Sequence, residues 1–350
     1  MVSRVVFAVP GDLDTPTGGY AYDKRIIEEL RTRGWEVAVL NLGRDFPRPD
    51  AKARRAANGM LAKLDPAIPV VIDGLAFGVL PEVGAGLGKT HKLIALVHHP
   101  LAFESGLSPN DAKEFHSSER EALRHVRHVI VTSPATARLL ASDYDVAAER
   151  ITVAKPGNDP VPPSRGSGEG GVHLLAVGSI VPRKGYDVLV AALSGLKDLP
   201  WRLSIVGDVT RDPDCAAALD QDIDRFALRA RIECLGAVSQ DRLAKLYDQT
   251  DLFALPSRFE GYGMAFADAI AFGVPVIAAR SGAIPETVPA QASILVPPDD
   301  VPALASVLRR LLENKSEREA LRAQARAAAR GLPSWRESAD IVADAIGSSA

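Results

Sequence analysis

The sequence predicts an α/β chain built as two doubly wound halves, and three observations carry that prediction. Short apolar runs of strand length alternate with amphipathic stretches along the whole chain, the pattern of parallel sheets covered by helices. One segment, 159–171 (DPVPPSRGSGEGG), interrupts the alternation with proline, glycine and serine and has almost nothing to bury. The length of 350 residues suits two domains. The domains are therefore expected at 1–165 and 166–330, with 331–350 as a final helix.

Composition narrows the function classes. A hydrophobic content of 47% is ample for two cores, and a net charge of −3 gives no electrostatic reason to expect nucleic acid. Cys215 and Cys234 do not make a disulfide framework, and no Cys/His cluster has zinc spacing. The stretch 1–10 is too quickly interrupted for a signal peptide and reads as a first core strand. No uncharged apolar run is long enough to span a bilayer. These features predict a soluble, cytoplasmic protein without a transmembrane segment, with transient membrane association left open.

In the first half, 4–9 is a strand and 10–20 a loop rich in Gly, Pro, Asp and Thr. Ile26, Ile27 and Leu30 place a helix over 22–33, closed by Gly34, and 37–42 is the next strand. Gly18-Gly19 lies in the first βα turn, but it is not G-x-G-x-x-G and no acid follows at the ribose position, which argues against a dinucleotide site. A basic helix follows over 52–64, most simply with a solvated face, then a strand over 70–72 ended by Asp73, read as a turn residue. The strand 93–97 carries His98-His99-Pro100 at its C-terminal end, where open α/β sheets bind ligands. A histidine there is either a site residue or a structural one held by a carbonyl. The loop 102–107 precedes a helix at 110–126, a strand at 128–132, a helix at 135–142 and a last strand at 151–154.

The second half starts with a strand over 173–177 and a loop ending in Arg183-Lys184-Gly185, directly before a helix over 186–196. Two cations beside unpaired helix N–H groups make an anion site. The alternative is an exposed basic turn. A strand at 201–206 and a helix at 215–230 follow, then a short strand and turn at 232–238 and a helix at 240–248. The chain then reaches its most informative run, 255–279. It reads as strand, loop with Gly261 and Gly263, helix from Met264 to Phe272, and strand again after Gly273 and Pro275. Glu260 precedes the helix end and Asp268 lies within the helix. Carboxylates beside a phosphate-binding helix end fit a ligand that also carries hydroxyls, such as a nucleotide sugar. Beyond it, Glu286 reads as a helix N-terminal acid, and helices are expected at 300–314, 316–330 and 335–346. The Asp-x-Asp pairs at 12–14, 143–145, 212–214 and 220–222 read as loop and helix acids and not as a metal site.

At Pro256, Ser257, Glu260, Gly261, Tyr262 and Gly263 the sequence resembles the retaining glycosyltransferases of family 4. That family has the GT-B fold, two Rossmann-like doubly wound domains facing a central cleft, and the resemblance implies the same here. It implies that Glu260 contacts the hydroxyls of a donor sugar. Gly261, Tyr262, Gly263 and Met264 would form the amide-lined end. Asp268, standing where the family usually has Glu, would hold the nucleotide ribose. Lys184 maps onto the lysine that binds the diphosphate, and Arg183 substitutes for a family arginine whose place Ser179 takes. Gly18 and Gly19 map onto a paired-glycine loop that closes on the donor. His98, with His99 as the alternate, maps onto a histidine near sugar and acceptor, and the last helix would cross back to the first domain. The implied reaction moves a sugar from a UDP-, GDP- or ADP-sugar to an acceptor with retained configuration, with no cofactor and no metal. The rival readings are a GT-B sugar-nucleotide epimerase and a degenerate nucleotide-sugar-binding protein without turnover. A dehydrogenase lacks its fingerprint.

Overall fold

The computed structural model describes residues 3–104, 106–168 and 170–348. The chain forms two compact units, Met1–Gly157 with Pro333–Ala350, and Asn158–Leu332. In the first unit the elements run β1 (Arg4–Val9), α1 (Gly18–Thr32), β2 (Glu36–Asn41), α2 (Ala51–Leu61), β3 (Val70–Asp73), α3 (Gly74–Phe77), α4 (Pro81–Leu87), β4 (Leu93–Val97), α5 (Pro109–Leu123), β5 (His128–Val131), α6 (Pro134–Asp143) and β6 (Ile151–Val153). The sheet is parallel with order β2-β1-β3-β4-β5-β6. The central strands β3 and β4 are buried along their whole length, because helices cover both faces; hence their unbroken apolar runs.

The second unit runs β7 (Val172–Val177), α7 (Tyr186–Ser194), β8 (Trp201–Val206), α8 (Pro213–Arg225), β9 (Ile232–Cys234), α9 (Gln240–Asp248), β10 (Leu252–Leu255), α10 (Met264–Ala271), β11 (Val276–Ala279), α11 (Ile284–Thr287), β12 (Ser293–Val296), α12 (Val301–Glu313) and α13 (Lys315–Ala329). Its parallel sheet has order β12-β11-β10-β7-β8-β9. The first strand of the unit, β7, lies in the middle, and the chain winds outward from it in both directions. Such an order is Rossmann-like, with a switch point between β7 and β10. The first sheet has its own switch between β1 and β3.

The last helix, α14 (Trp335–Ser348), belongs to the first unit and packs on α1 and β6. Trp335 meets Tyr22 at 5.9 Å between ring centroids, and Asp340 pairs with Arg33 at 2.6 Å.

Several elements differ from the sequence expectation. The helix expected from 22 begins at Gly18, because Thr17 is extended and its hydroxyl accepts from Tyr20 N. Gly18 and Gly19 are therefore the first turn of α1 and not a loop; their poor helix propensity hides this. The pattern gives no sign of α3, α4 and β12; the two helices are four and seven residues long, too short to show a period. The units divide at Gly157/Asn158 and not within 159–171. That stretch is stitched to the second unit: Ser164 is fully buried, its hydroxyl donates to the carbonyls of Asp248 (2.9 Å) and Thr250 (2.8 Å), and its N–H donates to Phe272 O (2.7 Å). Glu169 of that stretch and Ser105 of the loop 102–107 lie outside the described residues. Both cysteines are free. Among the described residues no helix is long and apolar enough to cross a membrane.

Candidate active site

Each switch point carries a cluster of charged side chains. In the second unit, the loop after β7 holds Arg183 and Lys184, and the loop after β10 holds Glu260. Because β7 and β10 are neighbours, these loops meet. Lys184 Nζ lies 2.7 Å from Glu260 Oε1, and Arg183 donates to Glu260 Oε2 at 3.3 Å and to Phe259 O at 2.9 Å. Glu260 is 6% exposed. Burial pushes its carboxyl up, but the two cations outweigh burial and hold it at about 2. Two cations against one carboxylate leave the cluster net positive, the sign that draws an anion.

The amides point the same way. α10 starts at Gly263, whose φ of 93° lies in the left-handed region, and no side chain caps the helix. An uncapped helix N-terminus offers free N–H groups and the positive end of the macrodipole. Gly261 and Tyr262 are buried in the same loop and Met264 opens the helix. The loop is held from behind by residues with no obvious signature. Thr287 Oγ1 donates to Tyr262 O at 2.6 Å, and Ala283 N donates to Glu260 O at 2.9 Å. Gly282, at φ +52°, presses so closely on the Glu260 backbone that a Cβ would collide with it.

Arg258 ties the two loops together, a role the sequence does not announce. Its N–H donates to Arg183 O at 2.7 Å, and its guanidinium reaches Pro182 O, Asp187 at 2.7 Å and Asp299 at 2.7 Å. The only signal is an arginine directly after Pro256-Ser257.

Asp268 sits farther along α10, in its second turn. Asn158 Nδ2 donates to its Oδ1 at 3.2 Å. Burial and the nearby Asp159 push its carboxyl up to about 7, against the Asn158 hydrogen bond. Asp268 is thus a carboxyl ready to donate or accept, in a helix whose N-cap makes no side-chain hydrogen bond.

In the first unit the cluster has the opposite make-up. Asp23 from α1, Asp73 from the end of β3, and His98 from the end of β4 converge. His98 Nε2 lies 3.1 Å from Asp23 Oδ1 and 3.5 Å from Asp73 Oδ2. Both acids are buried, and the His98 side chain is 19% exposed. Burial pulls the imidazole down, but the two carboxylates win and raise it to about 10. Asp73, read from sequence as a turn residue, does cap α3 through Leu75 N at 2.6 Å, and it also faces His98. The facing atoms of the three side chains all lie within 4.8 Å of one another. Gly19 lies against the imidazole: a Cβ there would be 3.1 Å from His98 Cδ2. Thus two residues singled out by sequence, Gly19 and His98, meet. His99 turns instead to Glu104, so His98 is the one built into the cluster.

Known proteins share this arrangement of sequence and fold. Residues 21–161 match the family described as Glycosyltransferase Family 4, and residues 171–314 match Glycosyl transferases group 1. Over 308 residues the chain is 27% identical to an MMP alpha-(1→4)-mannosyltransferase of Mycolicibacterium hassiacum, covering 83% of this chain and 73% of that one. It is 30% identical over 275 residues to a D-inositol 3-phosphate glycosyltransferase of Xylanimonas cellulosilytica, covering 72% and 66%. Among solved structures, sucrose-phosphate synthase from Thermosynechococcus elongatus is similar with a TM-score of 0.80 at 20% identity, over 97% of this chain and 98% of that one. Anabaena HepE in complex with UDP-glucose is similar with a TM-score of 0.79 at 19% identity, over 99% of both chains. At such identities these likenesses establish the fold, which is GT-B. With both halves matched to glycosyltransferase families and the signature Pro-Ser-x-x-Glu-Gly-Tyr-Gly in place, the chain belongs to the family 4 glycosyltransferases.

Proposed function

We propose that the protein moves a sugar from a nucleoside diphosphate sugar to an acceptor hydroxyl with retained anomeric configuration, and that it does so without a metal. The convergence of Lys184, Arg183 and Glu260 beside the uncapped start of α10 carries this reading. In the reaction the bond from the anomeric carbon to the diphosphate oxygen breaks, and its electron pair leaves with the diphosphate. The acceptor oxygen bonds to the same carbon on the face the diphosphate leaves, and its proton passes to the departing diphosphate oxygen. Negative charge grows on the departing diphosphate. Lys184, Arg183 and the amides near Met264 would neutralise it, and such preorganised charge is the largest single source of rate in many enzymes. Glu260, ionised at any physiological pH, would accept hydrogen bonds from sugar hydroxyls. Asp268 would hold the ribose. Gly18 and Gly19, in the first turn of α1, and His98 would serve the ligand on the first unit.

The matched relatives name mannosyl transfer and inositol phosphate glycosylation, so mannosyl and glucosyl donors and polyol phosphates head the trial panel. UDP, GDP and ADP, each with its hexose derivatives, are tested first by thermal shift, since a ligand that binds only the folded chain raises its melting temperature by mass action. One nucleotide series is expected to raise the melt, and the raised melt is expected to disappear in Lys184→Ala. No shift from any of them would end the donor reading. The product anomer, read by NMR coupling constants after transfer, tests retention.

A further inference from the structure

A buried carboxylate normally has several hydrogen-bond donors to offset its desolvation. Asp23 does not. It is fully buried, its Oδ2 accepts no hydrogen bond among the described residues, and Oδ1 faces the imidazole of His98 at 3.1 Å. By contrast Glu119, also buried, has a structural role, since its carboxylate accepts from Leu101 N at 2.9 Å and holds the turn after His98. Asp23 has no such backbone contact. It stands on the apolar face of α1 beside Tyr22, Ile26, Ile27 and Leu30, where a carboxylate is costly.

Everything around His98 fixes the ring one way. Tyr22 meets it edge-on with centroids 5.4 Å apart, Gly19 lies against Cδ2, and Thr132 Oγ1 donates to its carbonyl at 3.1 Å. Both acidic contacts use Nε2. Nδ1 makes no hydrogen bond with the described residues, and the side chain is partly exposed. Asp23 from α1 and Asp73 from the end of β3 are the charged groups that face it.

We propose that Asp23 is a positioning residue: together with Asp73 it grips His98 through Nε2, so that the ring presents Nδ1–H as a fixed donor to an oxygen of the ligand bound on the first unit. The assignment rests on the reading that His98 serves that ligand. It makes His98 a cationic hydrogen-bond donor and not a base, because a ring held between two carboxylates keeps both protons. The electrostatics agree. Burial pushes Asp23 up to about 7, Asp73 is held low by His98 and by Leu75 N despite burial, and His98 stays charged. Asp73 pairs with the imidazolium, and Asp23 supplies the second grip on Nε2.

The test is the protonation state of the ring itself, read without any donor or acceptor. Protein labelled with 15N-histidine is followed by long-range 1H–15N spectra from pH 5 to 9, with His98→Gln assigning the signal. In the wild type both ring nitrogens should keep protonated shifts to pH 9. In Asp23→Asn the titration midpoint should fall by about two units, the scale of losing one close carboxylate, while the melting temperature at pH 7 holds or rises. Asp73→Asn should lower the midpoint by less. A wild-type His98 that is neutral at pH 7, a bare Nε2, or a midpoint unmoved in Asp23→Asn would overturn the proposal. An Asp23→Asn that loses stability and leaves the midpoint in place would make Asp23 a structural residue. Should the nucleotide panel fail while these shifts appear, the transferase reading falls and the grip on His98 stands.

Discussion

In the first unit a histidine sits between two acids; in the second a glutamate sits between two cations. Both clusters stand just beyond the carboxyl ends of parallel strands, one where β1 gives way to β3 and the other where β7 gives way to β10. The scaffold therefore sets the place, because adjacent strands whose crossovers run in opposite directions leave a crevice there. The side chains set the sign. Two cations hold Glu260 ionised and leave positive charge to spare, which suits a diphosphate. Two acids hold His98 protonated and leave no excess positive charge, which suits a neutral, hydroxyl-bearing ligand. On the proposed reading the same fold would offer an anion site and a hydroxyl site according to which charge is in the majority.

Breaking one cluster should not break the other. Lys184→Ala is expected to have the largest effect, cutting transfer by about 10²–10³-fold in kcat/KM, the range for losing one preorganised charge on a leaving group. His98→Gln should cut transfer by about 10²-fold through kcat and leave nucleotide affinity in place. Steady-state kinetics with the best donor separates the two, since only Lys184→Ala should also raise the donor KM.

Stability against pH sharpens the contrast. Glu260 is depressed from 4.5 to about 2, so its contribution is present above pH 4.5 and is lost as pH falls through about 2. His98 is raised from 6.5 to about 10, so its contribution is present below pH 6.5 and is lost as pH rises through about 10. Denaturation series should show wild type losing its margin over Glu260→Gln on the acid side and over His98→Gln on the alkaline side. Margins that vanish on the same side would break the comparison. The smallest effect belongs to Asp268, a carboxyl raised to about 7. Its folded form holds a proton that the unfolded chain releases near pH 3.8, so it costs stability as pH rises between those values. Asp268→Asn should melt about 2–4 °C higher at pH 8 and match wild type at pH 4.

The sequence shows more of the second cluster than of the first. Lys184 and Glu260 each sit in a loop between an apolar run and a helix, so local pattern marks both. Asp73 looks like a turn residue because its local role, capping α3, is genuine and explains it without any long-range contact. Asp23 leaves a faint trace, one acid on the apolar face of a helix, and its partner lies 75 residues away. Gly282 acts on the site through backbone atoms, and Arg258 reaches Arg183 through its own N–H, contacts that leave no residue-type code in their partners. The boundary at Gly157/Asn158 is hidden for a similar reason. Segment 159–171 is anchored by hydrogen bonds from Ser164 and Arg165, which a hydrophobic pattern does not register.

On the proposed reading Lys184, Arg183 and the amides before α10 bind the diphosphate while His98 does not. Calorimetric titration of wild type, Lys184→Ala and His98→Gln with UDP, GDP and ADP tests it directly. One nucleotide is expected to bind wild type and His98→Gln with equal affinity, and Lys184→Ala to weaken it by tenfold or more, about 1.4 kcal/mol. Equal affinity for all three proteins, or loss of binding in His98→Gln alone, would contradict it.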